Sequence, residues 1–266
     1  MISSNVIDKV ENIIREAGEF VLNETRQFQE EKIQHKSSFD LVSYVDVQTQ
    51  QFLINNFSKL LPNAGFIAEE EHIQSTKEWN WIIDPLDGTT NFTRQLPSYA
   101  ISVALAKEKE IRYGWVLNIP MNEFFSAIRG DGAFLNKSKI KVSNKQNFQD
   151  ALFATGFSVS VFDDVDVQLS VVKEIITHSL GIRRMGAAAI DLCYVACGKF
   201  DGFFEWHLNP WDVAAGSLIA EEAGAKVSDF SGHSNYLFGK QIIAAQPNIY
   251  SQLLSIIQSK MSTKKI

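Results

Sequence analysis

Apolar residues at Val6, Ile7, Val10, Ile13, Ile14, Ala17, Phe20 and Val21 recur every three or four positions. This spacing predicts an amphipathic helix from Val6 to about Glu24. The polar interval from Gln27 to Lys36 is expected to turn or extend. A second helical pattern runs through Phe52, Ile54, Phe57, Leu60 and Leu61, with Asp46 where it begins. Short apolar runs rich in β-branched and aromatic residues then mark strands at Gly65 to Ala68, Trp81 to Ile83, Tyr99 to Ala106, Arg112 to Ile119 and Glu123 to Ile128. Lys107 to Glu110 reads as a hairpin turn, Gly130 to Ala133 as another turn, and Lys137 to Val142 as a short edge. Pro85 has no N–H for a ladder, so the Trp81 strand is expected to stop there. The first half is therefore a helix pair against an antiparallel-rich sheet. The second half alternates strands (Ala151 to Phe157, Phe200 to Glu205, Phe238 to Ala245) with helices. Those helices are expected over Val167 to His178, from Met185 to a stop at Gly198, from about Asp212 through Glu222, and over Asn248 to Lys260.

Composition narrows the class. The chain has 266 residues, 45% hydrophobic and 21% charged, the balance of a globular protein. Its net charge of −6 and pI near 5.4 argue against a sequence-independent nucleic-acid binder, which needs a basic face. No basic-then-apolar leader and no membrane-length apolar run is visible, so the cytoplasm is the expected compartment. Cys193 and Cys197 lie four apart in a helical pattern, a spacing that suits one buried helix face better than a disulfide or a zinc site.

The chemistry concentrates in Asp84-Pro85-Leu86-Asp87-Gly88-Thr89-Thr90-Asn91-Phe92. Two carboxylates three residues apart at a strand end can converge on one point. Gly88 permits a tight turn, and the Thr/Asn cluster can cap a following helix whose first amides favour an anion. Cation-binding carboxylates beside anion-binding amides are the requirements of metal-assisted phosphoryl chemistry. A solvated acidic turn is the plain alternative. Helix capping is likewise the plain reading for Asp46 and Asp212, and close packing for the small residues Gly186 and Ala188. Asp163, Asp164 and Asp166 lack the glycine and terminal glutamate of a Ca²⁺ loop and read as a solvated helix start. His207 reads as structural.

The DPLDGTTNF string resembles the signature of the inositol monophosphatase family of Mg²⁺-dependent, lithium-sensitive phosphatases. Three further segments match: Lys36-Ser37-Ser38 followed by Asp40-Leu41-Val42 and Asp46; the acidic run led by Glu69, with Ala68 in place of the family's glycine; and Trp211-Asp212-Val213-Ala214-Ala215-Gly216. The resemblance covers most of the chain. It implies an α/β (α+β) layered αβαβα sandwich, a single catalytic domain over 1–266 with two tightly packed halves of about 1–145 and 146–266, and a homodimer. It implies two to three Mg²⁺ held by Glu69, Asp84, Leu86, Asp87 and Asp212. Gly88, Thr89, Thr90, Gly186, Ala188, Glu205 and Asp212 would bind substrate, and Thr89 with Asp46 would orient or deprotonate the attacking water.

Oxygen-only donors favour Mg²⁺ over Zn²⁺. With no cysteine or histidine placed to form a phosphoenzyme, direct in-line attack by a metal-activated water is expected. The expected substrate is myo-inositol monophosphate, with the NADP(H) 2′-phosphate, fructose 1,6-bisphosphate and 3′-phosphoadenosine phosphates as alternatives. A second class of function is a regulatory protein that binds RNA or the transcription machinery.

Overall fold

A computed structural model describes residues 2–27, 33–35, 41–70, 74–75, 77–157 and 161–262. The first half contains α1 (Ser4–Gln27), β1 (Ile33–His35), β2 (Leu41–Ser43), α2 (Tyr44–Leu60), β3 (Gly65–Ala68), β4 (Gln74–Ser75), β5 (Trp79–Asp87), α3 (Thr89–Thr93), β6 (Ala100–Lys107), β7 (Glu110–Asn118), β8 (Glu123–Ile128), β9 (Gly132–Leu135) and β10 (Ser138–Ile140). The second contains β11 (Leu152–Thr155), α4 (Val165–His178), β12 (Gly181–Arg183), α5 (Ala188–Ala196), β13 (Gly202–Trp206), α6 (Pro210–Glu222), β14 (Lys226–Ser228), β15 (Gln241–Ala245) and α7 (Pro247–Ser262).

An eight-stranded sheet has the order β10-β9-β8-β7-β6-β5-β3-β4, a five-stranded sheet the order β12-β11-β13-β15-β14, and β1 pairs with β2. In the larger sheet only β3 and β5 run parallel. Strand alternation then decides what each face carries. Along β6, Ile101, Val103 and Leu105 join Trp81 and Ile83 of β5 beneath α1 and α2. The intervening Ala100, Ala104 and Ala106 face α5 and α6. Those two helices also meet Phe203, Ile242 and Ala244 of the smaller sheet. Its other face, with Phe153, Phe204 and Ile243, is covered by α4 and α7 through Val171, Ile175, Ile249 and Leu253. The layers are thus α1/α2, large sheet, α5/α6, small sheet, α4/α7, the sandwich that the family resemblance implies.

The core of the first half is aromatic. Phe57 of α2 stacks on Trp81 at 4.3 Å between ring centroids. Truncating such a buried ring costs roughly 3–5 kcal/mol. The middle layer instead depends on small residues. A Cβ on Gly114 would lie 2.9 Å from the Ala215 carbonyl oxygen, so glycine lets α6 rest directly on β7.

Three expectations need correction. β5 does not end at Pro85 but runs on to Asp87, its ladder with β6 skipping from Asp84–Ser102 to Asp87–Ala100. Three steps on one strand oppose two on the other, and the proline sits in this bulge, where no ladder N–H is required. The Thr/Asn cluster caps nothing. Gly88 occupies the N-cap position at φ +93°, and no side chain caps α3. The Gly130 to Ala133 segment is also not wholly a turn, because β9 begins at Gly132. Cys193 is buried, Cys197 half-buried, and both are free thiols.

Candidate active site

The end of β5 delivers Asp84 and Asp87, and the end of β3 delivers Glu69 beside them, because Ala68 pairs with Ile83 in parallel register. A clamp fixes the backbone just after Glu69: Gln50 Nε2 donates to the Glu70 carbonyl, and the Glu70 amide donates to Gln50 Oε1, each at 2.8 Å. Asp84 Oδ1 accepts from the Leu86 amide at 3.0 Å. Asp87 Oδ2 accepts from the Ala189 amide in the first turn of α5 at 2.7 Å, a bond between the two halves. Asp212 is the third residue of α6. Its Oδ2 accepts from the Asn209 amide at 2.7 Å, half of a capping box. The capping and site readings of Asp212 are therefore compatible.

Thr89 Oγ1 lies 2.9 Å from Asp46 Oδ1, to which it donates, and 3.1 Å from the Leu86 carbonyl oxygen. Asp46 is buried in the first turn of α2. Asn91 turns away from capping: its Nδ2 donates to the carbonyls of Ser98 at 2.7 Å and Met185 at 2.8 Å. It thereby pins the turn containing Gly186 against the β5–α3 corner.

These residues line one cavity of about 240 Å³, whose wall includes Glu69, Asp84, Leu86, Asp87, Gly88, Thr89, Thr90, Gly186, Ala188, Glu205 and Asp212. Of the expected site residues, only Asp46 stands behind the wall, reached through Thr89. A larger groove of about 770 Å³ lies elsewhere, between the β6–β7 hairpin and residues 234–238. There Arg129 already pairs with Glu221 at 2.9 Å, and the groove gathers no comparable set of carboxylates. The smaller cavity is the better site.

Crowding of negative charge dominates its electrostatics. Burial, then the fields of Glu69, Asp87 and Asp212, hold the Asp84 carboxyl well above the usual carboxylate range. Burial and Glu69 do the same to Asp212, against the Asn209 amide. Burial pushes Asp87 up to about 7, opposed mainly by the Ala189 amide. Glu205 is nine-tenths buried, has no hydrogen-bond partner among the described residues, and is pushed up to about 8 by burial, against the field of Arg184.

Hard oxygen donors whose own repulsion opposes ionisation fit a hard divalent cation, which relieves that repulsion directly. Glu69, Asp84, Asp87 and Asp212, with the Leu86 carbonyl, are the groups that would hold it. Among the described residues no three of His, Cys, Asp or Glu are drawn together as a closed chelating group. The four carboxylates line the cavity without forming such a group.

The sequence reading missed several residues. Arg184 lines the cavity and lowers the carboxylate pKa values of Asp87 and Glu205. Asp191 is buried on α5, its Oδ1 without a partner among the described residues, and burial and Glu205 hold its carboxyl high. Gly156, just past β11, lies against the Glu205 carboxylate. Arg184 stands two residues before Gly186, and that adjacency was the one available signal. His207 lines the cavity, with Nε2 3.4 Å from Asp164 Oδ2.

Fold and cavity define a layered α/β protein with a carboxylate-rich site shared by its two halves. Residues 3–262 match the model of the inositol monophosphatase family. The chain belongs to that family. It is 40% identical over 247 residues to the putative Nus factor SuhB of Neisseria meningitidis serogroup B, covering 92% of this chain and 95% of that protein. The crystal structure of the extragenic suppressor protein suhB from Bartonella henselae superposes with a TM-score of 0.91 at 35% identity, covering 96% of this chain and 99% of the other. The Thermotoga maritima IMPase superposes with a TM-score of 0.89 at 30% identity, covering 98% and 99%.

Proposed function

We propose that the chain is a Mg²⁺-dependent phosphomonoesterase acting on a small polyol phosphate, with myo-inositol monophosphate as the first choice. One observation carries the reading: four carboxylates, the Thr89–Asp46 pair and the unpartnered Glu205 all meet at one small cavity. Mg²⁺ would polarise the phosphoryl oxygens, stabilise the leaving alkoxide and acidify water. The chain's own groups do the rest. The Thr89 hydroxyl, committed as a donor to Asp46, turns a lone pair toward the cavity to accept from water. Asp46 then receives the hydroxyl's proton as the water is deprotonated. Gly88 to Thr90 border the phosphate, and Glu205 receives the alcohol's hydroxyls.

A phosphate-release panel tests this, comparing inositol monophosphate, NADP, fructose 1,6-bisphosphate, 3′-phosphoadenosine 5′-phosphate and an aryl phosphate. Activity should vanish in EDTA and return with Mg²⁺. Full turnover after exhaustive chelation would remove the metal assignment, and a marked preference for NADP or the bisphosphate would change the substrate while leaving the reaction class.

A homodimer goes with this reading. The exposed Leu169, Ile176 and Leu180 give the outer side of α4 and its C-terminal end an apolar surface to bury. Sedimentation velocity would show a dimer, and a monomer at micromolar concentration would refute it. A second reading follows from the relatives named Nus factor SuhB: a role with the transcription machinery. Binding of the purified chain to elongation complexes, retained in an Asp87→Asn protein, would support that role independently of turnover.

A further inference from the structure

Besides Glu69, Asp84, Asp87 and Asp212, the cavity's wall includes Glu205, Ala188 and Arg184, and on the reading above Glu205 and Ala188 meet the ester's alcohol. Arg184 is the one lysine or arginine among the lining residues. Among the described residues its side chain forms no hydrogen bond or ion pair. The exposed guanidinium therefore keeps its five donors, a planar fork, available to a ligand. Its field nevertheless reaches Asp87, Asp191 and Glu205.

The backbone holds it there. Gly186 has φ +86°, and a Cβ at that position would lie 2.4 Å from Arg184 Nη1, so the guanidinium folds over a residue that must lack a side chain. The same turn is tied down by Asn91 Nδ2, which donates to the Met185 carbonyl at 2.8 Å. Among the described residues the cavity thus presents an unpartnered cation within electrostatic reach of the unpartnered, nine-tenths buried Glu205.

We propose that Arg184 is a specificity-determining residue whose guanidinium receives a second anionic group, a phosphate or carboxylate, carried on the alcohol part of the phosphomonoester. Glu205 takes a hydroxyl of the same ligand, so the wall accepts, besides a polyol monophosphate, a hydroxylated substrate that carries a second anion. The inference rests on the phosphatase reading for its substrate and goes beyond it in naming the substrate's second charge.

The test compares fructose 1,6-bisphosphate with fructose 1-phosphate, which differ only in the second phosphate, on wild type, Arg184→Ala and Arg184→Lys with Mg²⁺. Charge-assisted bonds of this kind support a loss of about tenfold or more. The ratio of kcat/KM, bisphosphate over monophosphate, should fall by that factor in Arg184→Ala and by less in Arg184→Lys. Arg184 is exposed, so folding should survive, and equal melting temperatures would verify this. A ratio within about twofold of wild type in Arg184→Ala overturns the proposal. If wild type hydrolyses neither of these compounds nor inositol monophosphate or an aryl phosphate with Mg²⁺, the phosphatase reading fails by itself. Calorimetric binding of both compounds to the same three proteins, undisturbed by turnover, then decides Arg184 by the same ratio.

Discussion

Gly156→Ala should impair substrate selection while leaving the fold intact. An ideal Cβ at residue 156 would lie 2.1 Å from Glu205 Oε1 and 2.3 Å from both Cδ and Oε2. Non-bonded contact requires roughly 3.5 Å, so the carboxylate must retreat by more than about 1 Å. The atoms that must move are the far end of a flexible side chain, and Gly156 has no positive φ that an alanine would strain. Replacing such a glycine typically contributes a few tenths to about 1 kcal/mol of stability through the unfolded chain. The melting temperature should therefore change little. A displacement beyond about 1 Å does break hydrogen-bond geometry, and a hydroxyl–carboxylate bond contributes about 1.5–3 kcal/mol. That corresponds to a loss of roughly 10- to 150-fold in kcat/KM on inositol monophosphate, with an aryl phosphate spared. A double-mutant cycle separates this from general damage. On an Glu205→Ala background, Gly156→Ala should add almost nothing. Additive losses, or an unchanged preference for the polyol substrate, would refute the reasoning.

Two further predictions concern the acids and the hydroxyl. Glu205 is raised from 4.5 to about 8 and Asp87 from 3.8 to about 7. Raised folded-state values mean stability that is full below the unfolded values and lost as pH climbs through the folded ones. In EDTA the melting temperature should accordingly fall between about pH 5 and pH 8, and Mg²⁺ should raise it more at pH 8 than at pH 5; calorimetry showing a flat or rising profile in EDTA would contradict the electrostatics. Thr89→Ala should lower kcat by roughly 10²–10⁴ with much less effect on KM, because its hydroxyl faces the nucleophile; steady-state kinetics with near-normal kcat would leave Thr89 as a support for Asp46 alone.

How much of this was legible in the sequence depended on length and period. α1 and the β6–β8 meander carry long, regular patterns, and their positions were read to within a few residues. β12 and β14, three residues each at the two edges of the small sheet, are too short to show any period. β5 was cut short because Pro85 forbids a ladder bond in general, whereas here a bulge removes the need for one. The acids around the cavity were legible because each ends a strand or begins a helix in a recognisable string. Gly156 and Arg184 were not. The importance of the first lies in what a neighbouring strand places over it, and that of the second in a fold of the chain over Gly186. Neither is a property of local sequence.

The position of Asp212 shows how remote packing sets the chemistry. Its helix has no polar face to orient it: Trp211 and Val213 to Ala220 are all buried. A helix apolar on all sides can settle only at the depth its neighbours allow. On one side, Ala100, Ala104 and Gly114 clear the face of the large sheet, and the Ala215 backbone fills that space. On another, Gly216 accommodates Leu192 of α5, whose Cβ would lie 2.7 Å from a Cβ at residue 216. Ser102 Oγ then donates to the Trp211 carbonyl at 3.3 Å, fixing the first turn against β6 opposite Asp84, its ladder partner. The carboxylate of Asp212 is thereby brought into the field of Asp84 and Glu69. A larger residue at any of these small positions would lift α6 from the sheet and carry Asp212 away from the acids it must join, so a seam with no functional group of its own determines whether the site can assemble.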